Sequence, residues 1–299
     1  MQHEASQHAD LLEKLGIVND YGHQIYRRPL EVLVPALTAD IIAVGELLKE
    51  ARPPREQTGL LRASAGLTGV LAETLAKGGD DRAARRAWNT ARRAADASGD
   101  RVLRVWVRGR AAQHAGWAGS SHQTLMTMVR DAEQIAGGVP SSGLARAYAA
   151  GAYGAASYGD IATARANLDK LKRTFERLSP GPGEPTILDF QESQLHWNEA
   201  YVHVVGGDKR AVATVEYAEK LYPSTANGPL VNLHLMRAID LIKQGELGVG
   251  AEVAVTSLAG QPRPAMAQRQ LVGQVLETLP ASARALPAAR ELRSLISAA

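Results

Sequence analysis

The chain of 299 residues contains no cysteine. That excludes disulfides and thiolate metal sites and suits a reducing compartment, so the expected location is cytoplasmic. A large excess of charge of one sign is also missing. The formal net charge is +3, too small an excess for the concentrated basic face that nucleic acid usually demands. No uninterrupted apolar run approaches the roughly 20 residues that cross a bilayer, and the opening MQHEASQHADLLEKLG lacks the basic-then-apolar order of a secretory signal. Neither a membrane nor a signal peptide is therefore expected. Sustained period-2 alternation is absent, which argues against strands. The motifs HExxH, GxSxG and the P-loop are absent as well, so neither an enzyme nor a cofactor is expected. Aromatic residues make up 5 % of the chain. With alanine so frequent, that scarcity suits closely packed helices.

What is present is a repeated turn. Glycines 79, 119, 159, 206 and 245 each close a helix-like segment, at separations of 40, 40, 47 and 39 residues. A helix C-terminus often needs one residue of positive φ, and glycine supplies it. Five residues beyond three of these glycines stand Ala84, Ala164 and Ala211. Seven further on, Ala91, Leu171 and Ala218 return to the same helical face. The unit is helix, short turn, helix, five times over. Repeat two fits worst, with Thr124 at the small position, and repeat four carries a doubled glycine, Gly206-Gly207. Hairpins of this kind bury their apolar faces by stacking on one another. The predicted segments are 1–55, an N-terminal helical cap ending near the Pro53-Pro54 break; 56–260, five hairpins; and 261–299, capping helices. Gly181, Pro182, Gly183 and Pro185 mark a long loop between hairpins three and four.

The spacing of small residues about the turn resembles tetratricopeptide repeats, stretched beyond their usual period of about 34 residues. The resemblance implies an all-α fold, a tetratricopeptide-like right-handed superhelix (an α-solenoid). The order "DYGHQIYRR…LVPALTADIIAVGELL", then "LLRASAGLTGVLAETLAKGGDDRAARRAWNTARRAADASGD", is similar to the C-terminal halves of actinobacterial helix-turn-helix regulators of the XRE type. The ending "LETLPASARALPAARELRSLI" is similar to their closing helices. In that family a small DNA-binding domain precedes a tetratricopeptide-like sensor. Here no such domain is expected, since the residues before Asp20 are too few for a bundle of roughly 50 residues. The chain reads as a sensor-only relative or as part of a longer regulator. The resemblance implies ligand or peptide sensing through a concave groove and a change of solenoid shape, without specific DNA binding by this chain alone. A free-standing adaptor that scaffolds other proteins is the alternative, and a homodimer is left open.

Three sets of residues invite a chemical role. Glu192, His196, Glu199 and His203 share one helical face at i, i+4, i+7 and i+11, but zinc normally asks for a better nitrogen or sulfur set, so a polar stripe is the expected reading and no metal is assigned. Arg82, Arg85, Arg86, Arg92 and Arg93 form a basic face diluted by Asp80, Asp81 and Asp96, which reads as solvated. The third set lines the first helix of each hairpin. Counting back from the turn glycines places Trp106, Gln113, Trp117, Arg146, Tyr153, Gln194, Trp197, Tyr201 and Asn232 on one inward face. Aromatic walls with a few amide and guanidinium groups suit a peptide, a small organic ligand or a partner protein. Buried packing between hairpins is the competing reading.

Overall fold

The computed structural model describes residues 16–179, 186–259 and 264–297, and every regular element among them is a helix. Residues 16–24 form α1. There follow α2 (Leu30–Leu47), α3 (Pro54–Lys77), α4 (Asp81–Ser98), α5 (Arg101–Trp117), α6 (His122–Ala136), α7 (Ser142–Ser157) and α8 (Ile161–Phe175). The rest are α9 (Glu192–Val205), α10 (Ala211–Lys220), α11 (Asn227–Lys243), α12 (Leu247–Leu258), α13 (Met266–Thr278), a 3-10 turn (Ala281–Ala285) and α14 (Pro287–Ser297). None of the helices is long and apolar enough to cross a membrane, among the described residues. The glycine-proline loop at 181–185 and the first fifteen residues lie outside the described residues.

The repeated turn is built by two neighbouring residues. Gly79, Gly159, Gly207 and Gly245 all adopt positive φ. The residue after each glycine donates its N–H back to a carbonyl five residues earlier: Asp80 to Leu75, Asp160 to Ala155, Asp208 to His203 and Glu246 to Leu241, at 2.9–3.0 Å. This is the wide hydrogen bond that ties off a helix end. In three cases the same acidic residue then caps the following segment, Asp80 accepting from Ala83 N–H, Asp160 from Thr163 and Asp208 from Arg210. Such a cap satisfies one of the donors a helix leaves open at its start. Glycine followed by an acid thus stops one helix and starts the next.

Two details of the expected register change. At the doubled glycine, Gly206 remains in the right-handed region (φ −74) and Gly207 makes the turn. In the second hairpin Thr124 is exposed and Leu125 takes the buried position, with Val129, Ala132 and Ala136 completing the face. Elsewhere Ala84, Ala91, Ala164, Leu171, Ala211 and Ala218 are all buried as their spacing requires. Gly250 fills the same small position in the last hairpin, where a Cβ would stand 2.6 Å from Ile242 and 2.8 Å from the Ala238 carbonyl.

The chain divides into two units. The first comprises Met1–Ala115, Gln123–Ala150 and Arg173–Phe190. Its core joins Val18 and Tyr21 of α1, and Ile25 just beyond it, to Leu33, Leu37 and Val44 of α2 and to Leu60, Leu67 and Val70 of α3. Pro53 and Pro54 open α3, where a missing N–H costs nothing. On its other side α3 packs on the alanine stripe of α4. The helices α5 and α7 meet at glycines: a Cβ on Gly109 would stand 2.1 Å from the Gly143 carbonyl, and one on Gly143 2.4 Å from the Trp106 backbone.

The second unit comprises Gly116–His122, Gly151–Lys172 and Gln191–Ala299. Here α9 pairs with α10 and α11 with α12, and α11 also packs against α9 and α13. Leu233, Leu235, Met236 and Ile239 of α11 are buried at its centre. The closing α14 rests on α12 and α13.

Candidate ligand-binding sites

The nine residues expected on an inward face fall into two groups, one in each unit. In the second unit, Trp117 from the end of α5, Tyr153 of α7, and Trp197 and Tyr201 of α9 meet in a single ring cluster. Centroid distances are 3.8 Å for Trp117–Tyr153, 5.6 Å for Trp117–Trp197, 4.8 Å for Tyr153–Tyr201 and 5.8 Å for the stacked pair Trp197–Tyr201. Offset and edge-on contacts at these separations are the favoured arrangements of aromatic quadrupoles.

These rings do not line an open groove. Tyr153, Trp197 and Tyr201 are buried, and α13 reaches them with two glutamines one helical turn apart. The Tyr153 hydroxyl donates to Gln270 Oε1. Gln270 Nε2 donates to the carbonyls of Gly116 and Trp117, at 3.3 and 2.7 Å. Gln274 Nε2 donates to the Tyr201 hydroxyl at 2.5 Å. Burial pushes both tyrosine hydroxyls well above their ordinary pKa, so they stay protonated. The cluster therefore offers a hydroxyl donor, a hydroxyl acceptor and two carbonyls of a helix end, and the side-chain partners that meet them are amides.

Two residues of this group stand apart. Gln194 turns back to the start of its own helix, its Oε1 accepting from the Gln191 N–H at 3.0 Å. Asn232 is half-buried, and its Oδ1 has no hydrogen-bond partner.

In the first unit, Trp106 is core: it lies 6.1 Å from Trp88 among Ala65, Ala72, Ala91 and Val107. Gln113 and Arg146 come together in a buried polar nest. Gln113 Oε1 accepts from Arg110 Nη1 at 3.2 Å and from Arg146 Nη1 at 3.4 Å. Arg110 pairs with Glu73 at 2.5 Å. Arg146 donates Nη2 to the carbonyls of Ile187 and Asp189, and its guanidinium lies 5.6 Å from the Phe190 ring. Burial, reinforced by the nearby Arg110 charge, pushes the Arg146 pKa down to about 9.

The other two sets of residues have the following surroundings. Arg82, Arg85, Arg86, Arg92 and Arg93 are exposed on α4. His196 is paired with Glu199 at 2.9 Å, Glu199 with Lys172 at 2.5 Å, and His203 faces Thr214 at 3.4 Å. Among the described residues no three His, Asp or Glu side chains converge as metal ligands.

Register counting found the rings because Trp117, Tyr153, Trp197 and Tyr201 stand 2, 6, 10 and 6 residues before turn glycines, offsets that differ by about one helical turn and so share a face. It missed Glu73, Arg110, Gln270 and Gln274. Arg110 lies on α5, within one turn of Gln113, whereas Glu73 stands on α3, where no residue was implicated, although it lies six residues before Gly79 as Gln113 does before Gly119. The two glutamines lie in a segment without a turn glycine to count from.

The fold and these sites define the class: an all-α protein of helical hairpins holding one buried aromatic–amide cluster and one buried guanidinium nest. No protein-family model matches the chain, and no curated protein matches it.

Proposed function

We propose that the chain is a non-enzymatic sensor that recognises amide groups, the ligand-receiving region of a transcriptional regulator. In this reading its hairpins stack as a tetratricopeptide-like superhelix. The supporting observation is the set of hydrogen bonds that Gln270 and Gln274 make to Tyr153, Tyr201 and the carbonyls of Gly116 and Trp117. A side-chain amide and a peptide amide offer the same donor and acceptor, and the flanking indoles supply the apolar wall that a peptide side chain needs. An arriving peptide would replace the glutamines, freeing α13 to shift on α11. The response is limited by the difference in the ligand's affinity for the two arrangements.

The experiment is a peptide-library selection on the full chain, followed by calorimetry on the selected peptide. Tyr201→Phe should weaken binding by about tenfold, the loss of one hydrogen bond worth roughly 1 kcal/mol. The double substitution Gln270→Ala/Gln274→Ala should strengthen it by removing the internal competitor. A selected peptide indifferent to all three changes would place recognition elsewhere. Retention of a folded partner protein with no peptide selected would favour an adaptor.

A further inference from the structure

The guanidinium nest of the first unit is incompletely bonded. Of its two buried arginines, Arg110 pairs with the carboxylate of Glu73, whereas Arg146 has no carboxylate hydrogen-bonded to it. The carboxylate of Asp189 acts on Arg146 through its charge alone. It accepts from the N–H and hydroxyl of Thr186 at 2.7 and 3.2 Å and so ties its own turn. What Arg146 holds instead is a neutral surrogate: two carbonyl oxygens, of Ile187 and Asp189, both on Nη2. The Nε of Arg146 and the Nε of Arg110 are buried without a hydrogen-bond partner. A buried guanidinium with donors unfilled is costly, and a carboxylate bound in the fork geometry is its best partner.

Beyond its own turn, the segment 186–190 that supplies these carbonyls is held mainly by packing, with Leu188 against two apolar clusters of the first unit. Ile187 N–H donates to the Gly22 carbonyl at 3.2 Å, Ile187 packs in the core, and Phe190 meets Phe175 and the Arg146 guanidinium. Two oxygens on the guanidinium with an aromatic ring beside them describe a ligand. We propose that Arg110, Gln113 and Arg146 form a binding site for a carboxylate that carries a neighbouring aromatic group, and that residues 186–190 occupy it until such a ligand displaces them. The carboxylate would take the two oxygen positions, reach an unfilled Nε, and give Arg146 a charged hydrogen-bond acceptor; its ring would take the place of Phe190. The inference rests on the reading of these hairpins as ligand-receiving, but it involves none of the residues of the aromatic–amide cluster.

The test uses the full chain with three probes: N-acetylphenylalanine, its C-terminal amide, and phenylacetate. Calorimetry gives affinity, and amide hydrogen exchange reports on residues 186–190. The two carboxylates should bind, the amide should not, and exchange at Ile187 should rise on binding. Preference for N-acetylphenylalanine would identify a peptide C-terminus as the ligand; equal affinity would identify a small aryl acid. Arg146→Lys should weaken binding at least tenfold. Because Arg146 is fully buried and its substitution can unfold the unit, Phe190→Ala is the second variant. By loosening the internal occupant it should tighten carboxylate binding by about tenfold, since apparent affinity scales with the competent fraction. Equal binding of acid and amide, or no carboxylate binding by either the parent chain or the Phe190→Ala variant, overturns the site. Binding lost on Tyr201→Phe but kept on Arg146→Lys also overturns it, while leaving the aromatic–amide reading intact.

Discussion

Glycine does two different jobs in this chain, and the two respond differently to substitution. Gly159 has φ +79 with open space where a Cβ would lie, so Gly159→Val is penalised by the backbone alone, about 1 kcal/mol or more. Gly143 sits where α5 and α7 touch, and its Cβ would fall 2.4 Å from backbone atoms of Trp106. A backbone cannot rotate aside as a side chain can, so Gly143→Ala should cost roughly 3 kcal/mol, the upper part of the range for overpacking. Urea unfolding of both variants checks the order; a neutral Gly159→Val would mean the left-handed turn is not needed there. A third residue sets a pH response. His203 is buried, and burial together with the charge of Arg210 lowers its pKa. The unfolded chain, titrating near the ordinary value of about 6.5, then binds the proton first. Stability from this group is present above that value and declines as pH falls below it, until the folded histidine also protonates. The melting temperature should drop between about pH 7 and pH 5, and His203→Gln should flatten that slope. An unchanged slope would remove His203 as its cause.

Helices were legible wherever a local signal marked their ends. Four of the five turn glycines adopt positive φ at the position read from spacing, and in the fifth turn the neighbour Gly207 does so. Spacing locates the turn, but it cannot say which of two adjacent glycines carries the left-handed residue. The slip from Thr124 to Leu125 has a similar origin: Gly119 is followed by Ser120 and Ser121 rather than by an acid, and α6 starts at His122. The ring cluster was legible because aromatic residues one turn apart on α9, and at offsets one turn different from the turn glycines on α5 and α7, share a face by helical periodicity. Its cover was not legible. Gln270 and Gln274 reach residues about 70 to 150 positions away in sequence, and no local pattern encodes so distant a pairing. The hold of Arg146 on the carbonyls of Ile187 and Asp189 is equally silent, since any residue offers a carbonyl.

At the scale of the whole molecule, the question is whether the chain reads DNA by itself. Net charge is +3, which offers little electrostatic attraction beyond what individual patches supply. The basic face from Arg82 to Arg93 on α4 is exposed, and Asp80 and Asp81 stand at its N-terminal end. Further along, Asp96 is bound by Arg104 and Arg108, and Arg108 also holds Asp131, so these cations are already neutralised within the protein. Specific recognition needs both a surface that tracks phosphates and side chains that reach base edges. Five exposed arginines can supply part of the first and none of the register that the second demands. The expected behaviour of residues 1–299 is weak binding without sequence preference, falling steeply as added salt lowers the free energy gained by counterion release. Joining a helix-turn-helix domain to the chain should be required before an operator is distinguished from random duplex. Fluorescence anisotropy with labelled duplexes near physiological salt is the measurement. Sub-micromolar, sequence-selective binding by this chain alone would make α4 a functional surface and displace the sensor reading.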